Sequence, residues 1–127
     1  MKKLNKSLPV FANTRPWNEL ILLGKRKFKT IGFPWKYRGD IYLYDTKGTP
    51  ADYGFDWAED FGVRLNQKQA AGHPSCIVGI VEIYDCRSFT DQNEEADHEI
   101  LLRNPVRFKS PIPFSWPSGA IRIARIK

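Results

Sequence analysis

The sequence predicts a mixed α+β domain: a compact β-barrel, one helix packed beside it and one or two further short helices. Three observations predict it. Short apolar or alternating runs recur along the chain, each closed by Gly or Pro, as in a barrel of short strands. One amphipathic segment, Pro16–Gly24, has helical spacing. The 127 residues, 42% hydrophobic and 27% charged, suit one soluble core and neither disorder nor a bilayer span. We therefore read residues 1–127 as one domain, with residues 1–8 as a flexible basic tail.

Pro9–Asn13 is short and apolar and reads as the first strand. Pro16 opens a helix where its missing N–H costs nothing. Trp17, Leu20, Ile21 and Leu23 form its apolar face, and Gly24 stops it. Lys27–Phe33 alternates as a strand, with Phe28 and Thr30 on one face and Lys27, Lys29 and Ile31 on the other. Gly32–Gly39 is an aromatic and basic loop. Asp40–Tyr44 alternates again, Ile41 and Leu43 opposite Tyr42 and Tyr44. Thr49-Pro50 starts a second helix, in which Tyr53, Trp57 and Phe61 recur every four residues among acids. Asn66 caps a further short turn ending at Gly72. Cys76–Asp85 is the strongest strand, and its first half is apolar on both faces. Residues 91–97 read as a solvated acidic loop. Short strands follow at Glu99–Arg103, Val106–Lys109 and Ala120–Ile126, separated by turns at Pro105, Pro111, Pro113 and Pro117.

Charge is segmented. Residues 1–40 carry ten Lys/Arg against two Asp/Glu, residues 41–100 four against twelve, and residues 101–127 six against none, for +6 in all. If the ends meet, one face is basic, which suggests a polyanion such as nucleic acid. Cys76 and Cys86 lie about 30 Å apart along one strand, beyond disulfide reach. Two free thiols fit a reducing, cytoplasmic compartment. No long apolar stretch follows the basic N-terminus, so neither a secretory signal nor a membrane partner is expected. His73 with Cys76 is a weak pair, so no metal and no cofactor are expected.

Arg15 to Arg38 is the richest functional segment. It interleaves Arg15, Lys25, Arg26, Lys27, Lys29, Lys36 and Arg38 with Trp17, Phe33, Trp35 and Tyr37. Cations neutralise phosphates, and exposed rings stack on unpaired bases. Trp17 reads first as core, from its place on the helix. Trp35 and Tyr37 read equally as loop packing or as stacking platforms. Glu82 is an acid in an apolar strand: either a base of raised pKa or a surface acid paired with an Arg.

Arg15–Arg26 (Arg-Pro-Trp-Asn-Glu-Leu-Ile-Leu-Leu-Gly-Lys-Arg) with Lys36-Tyr37-Arg38-Gly39 resembles the opening of an ASCH domain. Ile77–Cys86, Asn104–Phe108 and Pro111–Pro113 are similar to that family's central strand and C-terminal part. The resemblance implies a PUA-like β-barrel with a cleft between barrel and helix. It also implies binding of RNA, or hydrolysis of RNA or modified nucleosides, as in some relatives. The family's GxKxxExR pattern falls on Gly24, Arg26, Lys29 and Ile31. The Lys has become Arg26, the Glu Lys29 and the Arg Ile31, which removes the motif's acid–base polarity.

Three functions follow as expectations. The first is binding of RNA or another single strand by Arg15, Gly24, Lys25, Arg26, Lys27, Lys29, Trp35, Lys36, Tyr37 and Arg38. The second is a small hydrolase of RNA or a modified nucleoside, using Lys27 or Lys29 with Glu82. The third is a module that docks a protein partner through the acidic 52–60 segment.

Overall fold

The computed structural model describes residues 4–31, 34–47, 58–60, 62–90, 96–117 and 123–125. Six strands are assigned there: β1 (Pro9–Asn13), β2 (Phe28–Ile31), β3 (Gly39–Asp45), β4 (Cys76–Thr90), β5 (Ala96–Pro113) and β6 (Ile123–Arg125). They form one sheet in the order β2-β5-β4-β3-β1-β6. β1 and β3 run parallel; every other pairing is antiparallel. Helices α1 (Trp17–Leu22) and α2 (Gln67–Ala71) accompany it.

The local signals explain these elements. The C-cap of α1 is Leu23, and Gly24 follows at φ 74, a left-handed conformation that glycine adopts without strain. Asn66 caps α2 reciprocally with Gln69. β3 alternates as expected and is buried on both faces. Ile41 and Leu43 join Phe11, Ile31, Val81, Ile83, Ile100 and Leu102 in one cluster. Tyr42 and Tyr44 join Val10, Ile77 and Phe108 in the other. Leu20 of α1 packs on Ala58 and Leu65 in a third.

The expected closed barrel is, among the described strands, an open but curled ladder. Three strands separate β1 from β2, yet Phe11 and Ile31 share a cluster. Right-handed twist accumulated across the sheet brings the ends round. The curl matters for function, because it sets β2 opposite β1.

Three further expectations change. Glu99–Arg103 and Val106–Lys109 are one continuous strand, and β4 runs on to Thr90. Pro105 fits because Asn104 takes φ 56 and the register with β4 slips there, so no ladder bond is asked of it. Residues 4–8 are fastened rather than loose: Leu4 and Leu8 pack on the Tyr42 cluster, and the Asn5 N–H donates to Tyr42 Oη at 2.7 Å. The acidic 50–61 helix lies mostly outside the described residues; residues 58–60 are helical. Most of the 91–97 loop also lies outside them. Among the described residues no helix is long and apolar enough to cross a membrane. Both cysteines are free.

Candidate functional site

A hollow of about 650 Å³ opens where the carboxyl ends of β1 and β3 meet α1. Its walls are aromatic: Phe11 and Tyr44 from the strands, Trp17 from α1, Phe114 and Trp116 from the segment after β5. Tyr44 stacks on Trp116 at 5.0 Å and meets Phe114 edge-on at 5.8 Å. Lys29 enters from β2, carried there by the curl of the sheet, and Lys47 from the end of β3. Asn13, Thr14, Thr46 and Ser75 supply polar groups.

A buried polar chain supports this cleft. Asn13 Nδ2 donates to Asn18 Oδ1 at 2.8 Å, and Asn18 Nδ2 donates to Asp45 Oδ1 at 2.9 Å. The His73 backbone N–H donates to Asp45 Oδ2 at 2.9 Å. Asn13, Asn18 and Asp45 are at most 4% exposed. Burial pushes the Asp45 carboxyl above its ordinary value near 3.8, against the opposing pull of the His73 N–H, the Asn18 amide and the charges of His73 and Arg15. Burial, then the Asp45 charge, likewise raises the neighbouring Cys76 thiol. A raised carboxyl pKa means the folded state holds the proton more tightly. Stability from this group is therefore full below the ordinary value and is lost as pH rises through the folded one. Melting of wild type and Asp45→Asn compared from neutral pH down to about pH 4 should shift steadily in favour of wild type. Parallel profiles would remove the buried-charge account.

The residues expected from sequence do not converge on one place. Of the expected cations, Lys29 alone lines the aromatic cleft, half-buried with Nζ 5.5 Å from the Trp17 ring. Gly24, Arg26 and Lys27 line a second hollow of about 450 Å³, with Tyr84 and Arg103. The motif positions are thus divided between two hollows. Arg26 is 9% exposed; its guanidinium lies 3.9 Å from the Trp17 ring and donates to Phe28 O at 2.8 Å. Burial brings its pKa down to about 10, so it stays charged at neutral pH. Arg15 is 7% exposed and donates to Ala71 O at 2.6 Å, tying β1 and α1 to the end of α2. Both arginines therefore face the fold rather than solvent, where a phosphate would need them.

Lys25 and Lys36 are exposed and line neither hollow. Trp35 stacks on Phe11 at 5.6 Å and packs with Tyr37 against the core. Tyr37 Oη donates to Asp40 O at 2.6 Å. Arg38 folds back on Trp35 O and Tyr37 O, 3.8 Å from Asp85. Glu82 accepts from Arg103 at 2.8 Å and from Asn104 at 3.2 Å. The Arg103 hydrogen bond, then Asn104, holds its pKa below the ordinary value, the opposite of an activated base. Trp17 has both expected characters: it packs on the Leu20 cluster and lines the cleft.

The sequence reading missed Asn13, Asn18, Tyr44, Lys47, Phe114 and Trp116. The one usable signal was the aromatic pair after Pro113, read only as a turn region.

No protein-family model matches the chain, and no curated protein does. Solved structures do. The chain is similar to the ASCH protein of Zymomonas mobilis, with a TM-score of 0.58 and 11% identity over 97% of this chain and 90% of that one. A serine-to-alanine mutant of the same protein aligns with a TM-score of 0.59 and 12% identity over 96% and 89%. The chain has the fold of an ASCH domain.

Proposed function

We propose that this chain is a nucleic-acid-binding domain that takes RNA or another single-stranded target through the aromatic cleft. The carrying observation is the pairing of Trp17 and Trp116 with Lys29 and Lys47 around one hollow. Half-buried rings offer faces for unpaired bases, and lysines offer charge for the phosphates between them. The cleft lies within the roughly 300–1,000 Å³ typical of small-ligand sites, enough for nucleotide units presented one at a time. A duplex hides its base faces and gains nothing from such rings. The ASCH resemblance points the same way, and two free thiols support a cytoplasmic setting.

Binding fits better than hydrolysis. The described lining of the cleft carries no carboxylate and no imidazole to move a proton. Lys27, Lys29 and Glu82 share neither hollow.

Anisotropy of labelled single-stranded RNA and DNA across a salt series tests the proposal. Trp17→Ala and Trp116→Ala should each weaken binding by about 1–3 kcal/mol. Lys29→Ala and Lys47→Ala should each flatten the salt dependence by roughly one unit of slope. Undetectable binding at low salt, or binding indifferent to salt, would overturn it.

A further inference from the structure

The buried polar chain has a direction, and the direction is forced. The His73 backbone N–H is a donor and nothing else. Asp45, as a carboxylate, accepts on both oxygens, from His73 on one and from Asn18 on the other. The Asn18 atom facing Asp45 must therefore be its NH2, which leaves Oδ1 for the next residue. Asn13 must in turn offer its own NH2 to Asn18. Each amide is locked against the flip that would exchange its oxygen and nitrogen. Asn13 Oδ1 is the end of this chain. It has no hydrogen-bond partner among the described residues, and Asn13 lines the aromatic cleft.

We infer that Asp45, acting through Asn18, fixes Asn13 as a hydrogen-bond acceptor in the cleft, which thereby selects a base bearing an exocyclic amino group, cytosine over uracil. The inference rests on the nucleic-acid reading above. An unconstrained Asn flips to suit either base; this one cannot. Asn13 is only 4% exposed, so a group protruding from the base edge reaches it best. Cytosine presents a 4-amino donor there. Uracil presents a 4-carbonyl, and its ring N–H is flanked by two carbonyl oxygens that oppose Oδ1. Asp45 and Asn18 are positioning residues: they act on the ligand only through Asn13.

The chemistry gives a reversible test. Asp45→Asn can keep every hydrogen bond if the whole chain turns over. The new amide accepts from His73 N–H and donates to Asn18; Asn18 then donates to Asn13, and Asn13 shows NH2 to the cleft. Affinities for cytidine-only and uridine-only oligonucleotides are measured at one salt concentration, with melting curves to confirm folding. Wild type should favour cytidine by roughly 3- to 10-fold, and Asp45→Asn should reverse the order. Independently of any variant, wild type should lose a similar factor on an oligonucleotide whose cytosine amino groups are replaced by hydrogen. Binding with no preference, or the same preference in both proteins, overturns the inference and leaves the nucleic-acid reading standing. No binding to any of the oligonucleotides overturns that reading and the inference with it.

Discussion

Asn18→Leu should lower the melting temperature by at least about 10 °C. Asn18 is 0% exposed and is the middle link between Asn13 and Asp45. Leu keeps the branched shape but can neither donate nor accept. The substitution leaves Asn13 Nδ2 and Asp45 Oδ1 without their partner, both in residues at most 4% exposed. An orphaned buried amide costs about 1–3 kcal/mol and an orphaned buried charge more, so together about 3–5 kcal/mol is lost. Against a total stability of about 5–15 kcal/mol, that is a large fraction. Lys25→Ala, at an exposed position outside both hollows, is the control and should change little. A melting point for Asn18→Leu within about 2 °C of wild type would mean that water reaches this network, and the locked polarity of Asn13 would fall with it.

The same residue shows what the sequence can and cannot tell. Asn18 sits in the Pro-Trp-Asn-Glu-Leu stretch that marks the helix, between a residue of its apolar face and an acid. Nothing local says that it points at Asp45, 27 residues away. Elements with local causes were legible. Pro16 and Gly24 bound α1, Asn66 and Gly72 bound α2, and the two-residue alternation of β3 separates Ile41 and Leu43 from Tyr42 and Tyr44. Elements that depend on register were not. Pro105 reads as a strand end, and only the slip of β5 against β4 makes room for it. The site divides along the same line. Charge in residues 25–29 is visible in the sequence, but the direction of each side chain is not. Arg15 and Arg26 turn inward because Ala71 O, Phe28 O and the Trp17 face offer partners that only the folded chain assembles. Lys29 reaches the cleft because the sheet curls, a property of six strands together.

Gly79→Ala should cost about 3 kcal/mol, at the upper end of ordinary overpacking, and weaken nucleic-acid binding as well. Gly79 is buried near the start of β4, between β3 and β5 and opposite Arg107 of β5. A Cβ there would stand 2.5 Å from Val106 O and 2.7 Å from Leu22 Cδ2. The leucine could turn aside, but the carbonyl belongs to the β5 backbone, and moving it opens the ladder between the two longest strands. Gly in a strand interior usually lowers stability; here its missing side chain permits the close approach of α1 and β5. The effect on binding follows from the same geometry. Leu22 is the last residue of α1, and Trp17 is the first. Pushing Leu22 off the sheet tilts the helix that carries Trp17 into the cleft, away from Lys29 and Trp116. Reduced affinity at a temperature where Gly79→Ala is still fully folded separates this displacement from simple unfolding. Full affinity in that folded variant would show that α1 does not set the position of Trp17, and the cleft would then owe its shape to β1 and the segment after β5 alone.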